Sequence, residues 1–571
     1  MAHTTRRRRR PQPRRPDGGL ESPSAWLPSE WHPSRLPDAL VRRLRAGVAQ
    51  LGHLGRLRRA LARVGRGLPL TVVALGASVT ADYAGMAGSM QERYRLGYIG
   101  LPARCKDKCV HLGWALPIFR FLTAPQQQPT LNESEAVRAA SAVINSGQSA
   151  RYFDNYLDCT SSAVPAEADI IFIDGVNGMS PMVGNHRKPT EKLLRRLLSL
   201  PHQPAIVQLH WIDWCACPRS CFNEQPLRAH RHRNGSCYTP EGLRQSYEVA
   251  TRREEQQDWA ALARYYQLSV LSMRRAFHPL ANGSGLPSAY GGSNPDDPSS
   301  LTSDGLHPKA CRGSWQRCRY VLLIASLVNT FFADVMAGRF GQPQPGEGED
   351  LLPVSVKPFF TRASELSVPI ERCFGWGGTD RRVQPATSHV EGWRQSSLDT
   401  ALSFDPPAWC VDGQRHQRLS AQGQASTACP KPKPGFTAFA PGSQAVFELP
   451  VSPDSHYITS SRTSHVKWNA SLSLEFLSSY EGMGIAEVNC DHGCECDPVT
   501  LDGHRTAAHG AQADEGSSLI SIWERATWAV VLHDPICAVR IVLHNRTHSG
   551  RTKFKIGSMT LRWASEVRTY S

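Results

Sequence analysis

Four short polar segments of the sequence contain the residue types that acyl-group chemistry requires. The segments LGASVT and NSG place Ser78 and Gly147 in glycine-rich turns. GVNG carries Asn177, and SDGLHP carries Asp304 and His307 three residues apart. A serine can attack a carbonyl when a histidine takes its proton and a carboxylate fixes that histidine through the other ring nitrogen. The spacing of Asp304 and His307 lets a single turn supply both groups.

Each of these residues also has a purely structural interpretation. Ser78 could cap the start of a helix, which is the more ordinary role for a serine after a strand. Asp304 could cap a helix as well, with His307 simply exposed. The chemical interpretation therefore depends on whether the elements around these segments bring them together.

Apolar runs of strand length precede two of the polar segments. LPLTVVALG leads into Ser78, ADIIFID (168–174) leads into Asn177, and further runs follow at AIVQLH (205–210) and LSVLSM (268–273), with helical stretches between them. Continuous apolar strands that alternate with helices predict a parallel sheet covered on both faces, and thus an α/β fold. Open sheets of this kind bind ligands beyond the carboxyl ends of their strands. We therefore expect Ser78, Gly147 and Asn177 at one edge of the sheet.

In this order the four segments resemble the sequence blocks of the SGNH hydrolase superfamily, the GDSL-like esterases and lipases. The resemblance covers about residues 67–340 and implies a flavodoxin-like three-layer α/β/α fold. It further implies that Ser78 is the nucleophile, His307 the general base and Asp304 the residue that orients it. The Ser78 N–H, the Gly147 N–H and the Asn177 side-chain amide would form the oxyanion hole.

The sequence departs from the family pattern at two positions. The family commonly has aspartate before the serine, where this chain has Ala77, and aspartate after the asparagine, where this chain has Gly178. Neither position is a nucleophile, base or oxyanion donor in the family scheme, so the implied chemistry survives.

A second domain is predicted after the α/β domain. GRFGQPQPGEGED begins a linker rich in glycine, proline and acidic residues, and we place this linker at 341–365. Residues 366–571 show period-two apolar patterns, as at Leu472, Leu474 and Phe476, and contain seven cysteines. These features predict a disulfide-containing antiparallel β-sandwich-like domain.

The net charge of +15 is concentrated at the amino terminus. Residues 1–70 contain 16 arginines and 4 acidic residues, a local charge of +12, which leaves +3 for the rest of the chain. We interpret residues 1–66 as a basic disordered or targeting tail, in which leucines at 51, 54, 57 and 61 suggest a short helix able to contact a membrane surface. Because the folded body is nearly neutral, nucleic acid is not an expected partner.

Sixteen cysteines and five Asn-x-Ser/Thr sequons favour the secretory pathway, although no clear signal peptide is present and organelle targeting is the alternative. The sequons are at Asn132, Asn234, Asn282, Asn469 and Asn545. Two cysteine clusters could hold a metal, but their spacing favours disulfides. They comprise Cys215, Cys217, Cys221 and Cys237, and Cys490, Cys494 and Cys496 with His492. No apolar run is long enough for a transmembrane helix, and the longest, Tyr320 to Met336, is interpreted as a core helix.

The sequence thus predicts a serine hydrolase of carboxylic esters, in particular acetyl esters, that acts through an acyl-enzyme without a cofactor or a metal. Its substrate would be a small ester or an acetylated polysaccharide. Two alternatives remain open. The same triad could serve a glycan O-acetyltransferase, or the chain could be a non-enzymatic carbohydrate-binding or cell-surface protein with a relic hydrolase fold.

Overall fold

The structure is a computed structural model of the 571-residue chain. It describes the following residues: 33–76, 79–80, 101–102, 114–123, 141–147, 156–157, 159–174, 187–211, 258–278, 319–341, 357–361, 370–375, 386–396, 435–451, 468–479, 482–504 and 522–563, with isolated positions between 244 and 255.

A seven-stranded sheet organises the first half of the chain, in the order β1-β7-β6-β5-β2-β4-β3. Its five central strands are parallel, whereas β1 and β3 join the two edges antiparallel. The strands are β1 (Val48–Gln50), β2 (Thr71–Leu75), β3 (Leu101–Pro102), β4 (Ala142–Asn145), β5 (Ile170–Asp174), β6 (Ala205–His210) and β7 (Ser269–Ser272). The predicted parallel sheet is confirmed, and the antiparallel edges are additions that the sequence did not indicate.

Helices cover both faces of this sheet. One face packs against helices α1 (Asp38–Ala46), α2 (Gly55–Gly65), α3 (Ala115–Thr123) and α8 (Arg319–Met336). The other packs against α5 (Arg187–Leu198) and α6 (Asp258–Tyr265). Two short helices, α4 (Thr160–Ala163) and α7 (Met273–Phe277), complete the described set. Strands such as β5 are buried at every position because they contribute to two cores at once.

The amino-terminal region differs from the sequence prediction. Residues 38–65 belong to the α/β domain: α2 buries Leu57 and Leu61 in the core, and β1 pairs with β7. Arg45 of α1 donates two hydrogen bonds to Asp334 of α8, at 2.7 and 2.9 Å. A helix with basic residues on its outer side and leucines on its inner side has the same composition as a membrane-surface helix, so composition did not separate the two.

Helix α8 is the core helix that the sequence predicted. Ile324, Val328 and Phe331 are buried at its centre. The helix contacts the amino-terminal helices and, through the ring of Phe332, Phe172 of β5. Among the helices described, none combines the length and apolar character needed to cross a membrane.

The second half of the chain forms two antiparallel sheets that share one core. One has the order β10-β11-β19-β13-β17-β15, with β8 beside β19, and the other has the order β16-β14-β18-β12-β9. The strands are β8 (Ile370–Gly375), β9 (Ala386–Glu391), β10 (Trp393–Ser396), β11 (Gly435–Ala438), β12 (Gln444–Pro450), β13 (Trp468–Ser478), β14 (Ile485–His492), β15 (Cys494–Glu495), β16 (Val499–Asp502), β17 (Ile522–Leu532), β18 (Ile536–Leu543) and β19 (Phe554–Trp563). Leu472 and Leu474 of β13 meet Val539 and Ile541 of β18 in the shared core, so the period-two pattern marked the inner faces correctly.

Disulfides occupy the second cysteine cluster. Cys490 is bonded to Cys496, and Cys494 is bonded to Cys537. The disulfide interpretation of this cluster is therefore confirmed, although sequence alone did not give the pairing. The cluster from Cys215 to Cys237 lies outside the described residues.

Part of the predicted linker is docked on the α/β domain. Glu191 of α5 is fully buried and accepts hydrogen bonds from the backbone N–H groups of Phe359, Phe360 and Thr361 at 2.5–2.8 Å. The Tyr266 hydroxyl also donates to this carboxylate. Residues 357–361 are thus fixed by one buried charge, because a carboxylate that accepts several N–H groups holds them together.

Replacing Glu191 with glutamine should destabilise the protein in a pH-dependent way. Burial opposes ionisation of Glu191, but hydrogen bonds from Tyr266, Phe359, Thr361 and Phe360 outweigh it and lower the pKa of Glu191. Stabilisation by a lowered pKa is complete above the unfolded value of 4.5 and is lost as pH falls through the folded value. Urea unfolding should show a deficit of about 3 kcal/mol at pH 7 that narrows below about pH 4.5.

The exposed Glu167 provides the control, since Glu167→Gln should leave the free energy of unfolding nearly unchanged. A Glu191→Gln deficit that stays constant down to pH 3 would contradict the ionised-clamp explanation.

Candidate active site

The predicted site residues are described only in part. Ser78, Asn177, Asp304 and His307 lie outside the described residues, whereas Gly147 lies within them. The residues that flank these positions are described at three strand ends, and they define how the segments are held.

Strand β2, which leads into Ser78, lies between the two strands that lead into Gly147 and Asn177. Ala74 of β2 is in register with Asn145 of β4, and Leu75 is in register with Ile173 of β5. Because all three strands are parallel, their carboxyl ends meet at one edge of the sheet. The three segments therefore leave the sheet side by side.

Asn145 joins two of these strand ends. Its side-chain amide donates to the Thr80 carbonyl at 2.7 Å, and its Oδ1 accepts from the Gly147 N–H at 2.9 Å. The second bond closes a short turn in which an asparagine side chain accepts a hydrogen bond from the backbone N–H two residues further on. Asn145 is buried, so both bonds lie away from water.

The bond from Asn145 bears directly on the predicted role of Gly147. The Gly147 N–H was expected to be a free oxyanion donor, but it already donates to Oδ1 of Asn145. An oxyanion could receive this N–H only if that bond were released. The role of Gly147 stays a prediction, as do those of the Ser78 N–H and the Asn177 amide, which lie outside the described residues.

Thr80 and Asp174 join the third strand end to the turn after β2. The Thr80 hydroxyl donates to Oδ2 of Asp174 at 3.1 Å, and both residues are buried. Gly76 must stay a glycine here, because a Cβ atom would lie 2.3 Å from Oγ1 of Thr80 and 2.5 Å from Cβ of Asp174. The turn that begins at Gly76 is therefore packed directly against the end of β5.

A second polar group lies at the ends of β6 and β7. Ser272 and Arg274 both bind Glu254, whose Oε1 accepts from the serine hydroxyl at 2.7 Å and whose Oε2 accepts from the guanidinium at 2.7 and 3.0 Å. His210, in register with Ser272, is fully buried, and neither ring nitrogen has a partner among the described residues. Burial, together with the charges of Arg274 and Arg275, lowers the pKa of His210 to about 3.

This histidine does not match the role predicted for His307, because burial and the nearby arginines oppose its protonation. A general base needs a pKa near the working pH so that it can accept a proton and return it. A group with a pKa of about 3 stays neutral at the pH values at which such a base works. His210 is thus a neutral buried side chain at the candidate edge of the sheet.

Sequence reasoning missed the residues that connect the strand ends. Asn145, Thr80 and Asp174 each follow or end an apolar strand, and that position was the available signal. Within the described residues, the metal-compatible cluster is Cys490, Cys494 and Cys537, and all three cysteines are in disulfides.

Comparisons with known proteins give weak similarities. No family model matches the chain, and no curated protein matches it. A two-domain esterase (CEX) active on acetylated mannans, co-crystallised with mannopentaose, has a TM-score of 0.45 at 14% identity, covering 91% of this chain and 98% of that chain. A putative GDSL-like lipase from Parabacteroides merdae has a TM-score of 0.25 at 13% identity, covering 46% of this chain and 97% of that chain. Such TM-scores are too low to support an argument about fold or activity.

Proposed function

We propose that the chain is an SGNH-type serine esterase that hydrolyses carboxylic esters through an acyl-enzyme. The observation that carries the proposal is the strand order, in which β2 lies between β4 and β5 with their carboxyl ends aligned. In a parallel sheet this edge is where ligands bind. The segments that contain Ser78, Gly147 and Asn177 each begin there.

The side-chain bonds between the strand ends support the same proposal. Asn145 links β4 to the turn after β2, and Thr80 links that turn to Asp174 of β5. Catalysis needs its groups held within a fraction of an ångström, and buried hydrogen bonds on rigid strands provide such support.

In the proposed reaction, the Ser78 hydroxyl attacks the ester carbonyl while His307 takes its proton and Asp304 holds the histidine in place. The oxyanion receives the Ser78 N–H and the Asn177 amide. Collapse of the tetrahedral intermediate expels the alcohol, which takes the proton from His307, and leaves an acyl group on Ser78. Water, deprotonated by His307, then attacks this ester, and collapse of the second intermediate releases the carboxylic acid while His307 returns the proton to the Ser78 oxygen.

A fluorophosphonate probe tests the nucleophile, because it forms a covalent bond with an activated serine. Labelling of the folded wild-type chain at Ser78, with release of acid from nitrophenyl acetate, is the expected result. A well-folded chain that is neither labelled nor able to hydrolyse the ester would overturn the proposal and favour a binding protein.

A panel of acetylated polysaccharides and nitrophenyl esters, with free sugar as acceptor, separates hydrolysis from transfer. We expect acetate to appear in solution faster than acetyl appears on the sugar. The opposite order would replace the esterase with an O-acetyltransferase that uses the same residues.

A further inference from the structure

Tyr156 connects two of the candidate strand ends from a position that the sequence did not single out. Its ring is buried, and its hydroxyl lies 2.8 Å from the Gly76 carbonyl oxygen and 2.7 Å from the Ser146 carbonyl oxygen. A phenol has one proton, so it donates to the two carbonyl oxygens in a bifurcated bond.

The two carbonyl groups lie next to the residues of the proposed chemistry. Gly76 is two residues before Ser78, and Ser146 is directly before Gly147. The peptide bond between Ser146 and Gly147 is planar, so holding its carbonyl oxygen also fixes the direction of its N–H. That N–H is held from the other side by Asn145. The Ser146–Gly147 peptide is thus fixed at both ends, with the turn that leads to Ser78 bound to the same hydroxyl.

The segment that carries Tyr156 is itself anchored. The Thr160 hydroxyl donates to the Tyr156 carbonyl at 2.9 Å, and Arg196 of α5 donates to the Leu157 carbonyl at 2.5 Å. Cys159 forms a disulfide with Cys373 of β8, in the carboxyl-terminal domain. A side chain can position another group only if its own backbone is held, and these contacts hold it.

Further polar contacts with the β-rich domain lie close to the Cys159–Cys373 disulfide. Glu371 of β8 accepts from Arg196 at 2.8 Å and from Arg562 of β19 at 3.0 Å. The Cys159 sulfur lies 3.1 Å from the Thr560 hydroxyl of the same sheet. The anchor of Tyr156 therefore joins both halves of the chain.

We propose that Tyr156 is a positioning residue of the acyl-transfer site, whose hydroxyl holds the Ser78 turn against the Gly147 turn. This proposal rests on the proposed esterase function. Loss of the hydroxyl leaves two buried carbonyl groups without their donor and lets the two turns separate. Turnover then falls because the turn that carries the attacking oxygen and the N–H of Ser78 is no longer held in place, while substrate binding at more distant contacts is kept.

The test compares Tyr156→Phe with Tyr266→Phe. Both variants remove the hydroxyl of a buried tyrosine, and the Tyr266 hydroxyl donates to Glu191 on the helical layer formed by α5 and α6. We expect Tyr156→Phe to lower kcat on nitrophenyl acetate by about 10–100-fold with KM within about twofold of wild type. Tyr266→Phe should lower the melting temperature by a similar amount and leave kcat unchanged.

Hydrogen exchange provides a second readout that does not depend on activity. Amides in peptides that span 71–80 and 142–147 should exchange faster in Tyr156→Phe than in Tyr266→Phe. Wild-type kcat in Tyr156→Phe, equal kcat losses in the two variants, or unchanged exchange at both turns would each overturn the positioning role. An inactive, unlabelled wild type would instead overturn the esterase function, and the exchange data would still show whether Tyr156 holds the turns.

Discussion

Replacing Ser78 with alanine is expected to lower turnover of nitrophenyl acetate by about 10⁶-fold and to abolish fluorophosphonate labelling. The loss is so large because the acyl-enzyme cannot form without the serine oxygen, and the histidine and carboxylate contribute little without it. Initial rates of nitrophenol release, measured with enough enzyme to detect a loss of this size, give the ratio. Mass spectrometry of the labelled protein gives the attachment site.

Ser269→Ala is the matched control. Ser269 lies at the amino end of β7 in the same sheet, and its hydroxyl donates to the Leu51 carbonyl at 2.6 Å. This variant should keep wild-type turnover and labelling even if its melting temperature falls. Retention of labelling and turnover in a folded Ser78→Ala protein would mean that the nucleophile is another residue.

Replacing Asn177 with alanine is expected to lower kcat by about 10²–10³-fold, the usual cost of losing one oxyanion donor. Asn177 follows β5, the strand that pairs with β2, and under the proposed function its amide is the side-chain donor to the oxyanion. Asn177→Asp keeps the size of the side chain but replaces the N–H donors with oxygens. It should lose at least as much turnover as Asn177→Ala.

Asn489→Ala controls for a general effect of losing an asparagine. Asn489 lies in the β-domain, where its amide donates to Glu487 at 2.6 Å, and its removal should not change kcat. Thermal unfolding of each variant separates a loss of turnover from a loss of folded protein. Undiminished turnover in folded Asn177→Ala would remove Asn177 from the oxyanion site.

Four parallel strands of the central sheet, β2, β5, β6 and β7, were predictable because they are buried on both faces, whereas β4 is only partly buried at alternate positions and was not predicted. A strand such as β5 or β6 must be apolar at nearly every position, and that pattern is visible in one sequence. The edge strands were not predictable from the sequence, because they are short and β1 is only partly buried. β1 has three residues and intermediate burial throughout, so it carries no pattern that differs from a loop.

The candidate site was likewise predictable only in part. Strand ends could be located from the apolar runs, which is why the segments containing Ser78 and Asn177 drew attention. Tyr156 and Asn145 donate hydrogen bonds to backbone atoms up to 80 residues away in the sequence. Every residue has a backbone carbonyl group, so the sequence does not show which of them accepts such a bond. Contacts of this kind depend on the folded path of the chain, so they required the structure.

The amino-terminal helices illustrate the limit of charge as a guide. Their arginines made residues 1–66 look like one tail, yet Arg56 is buried and donates to the Leu198 carbonyl at 2.9 Å. Burial lowers the pKa of Arg56 to about 10, and it is still charged at neutral pH. A charge sum weights buried and exposed arginines equally and cannot report which of them are part of a core.

The bond between Cys159 and Cys373 changes what a break in the chain would do. It closes a loop over a sequence separation of 214 residues, and that loop contains the whole glycine- and proline-rich stretch after Gly341. A protease that cut this stretch once would produce a nicked molecule of unchanged mass apart from one added water, still held together by sulfur. Release of the two pieces would then require a reducing agent, so the covalent connection between the α/β and β-rich halves does not depend on an intact linker.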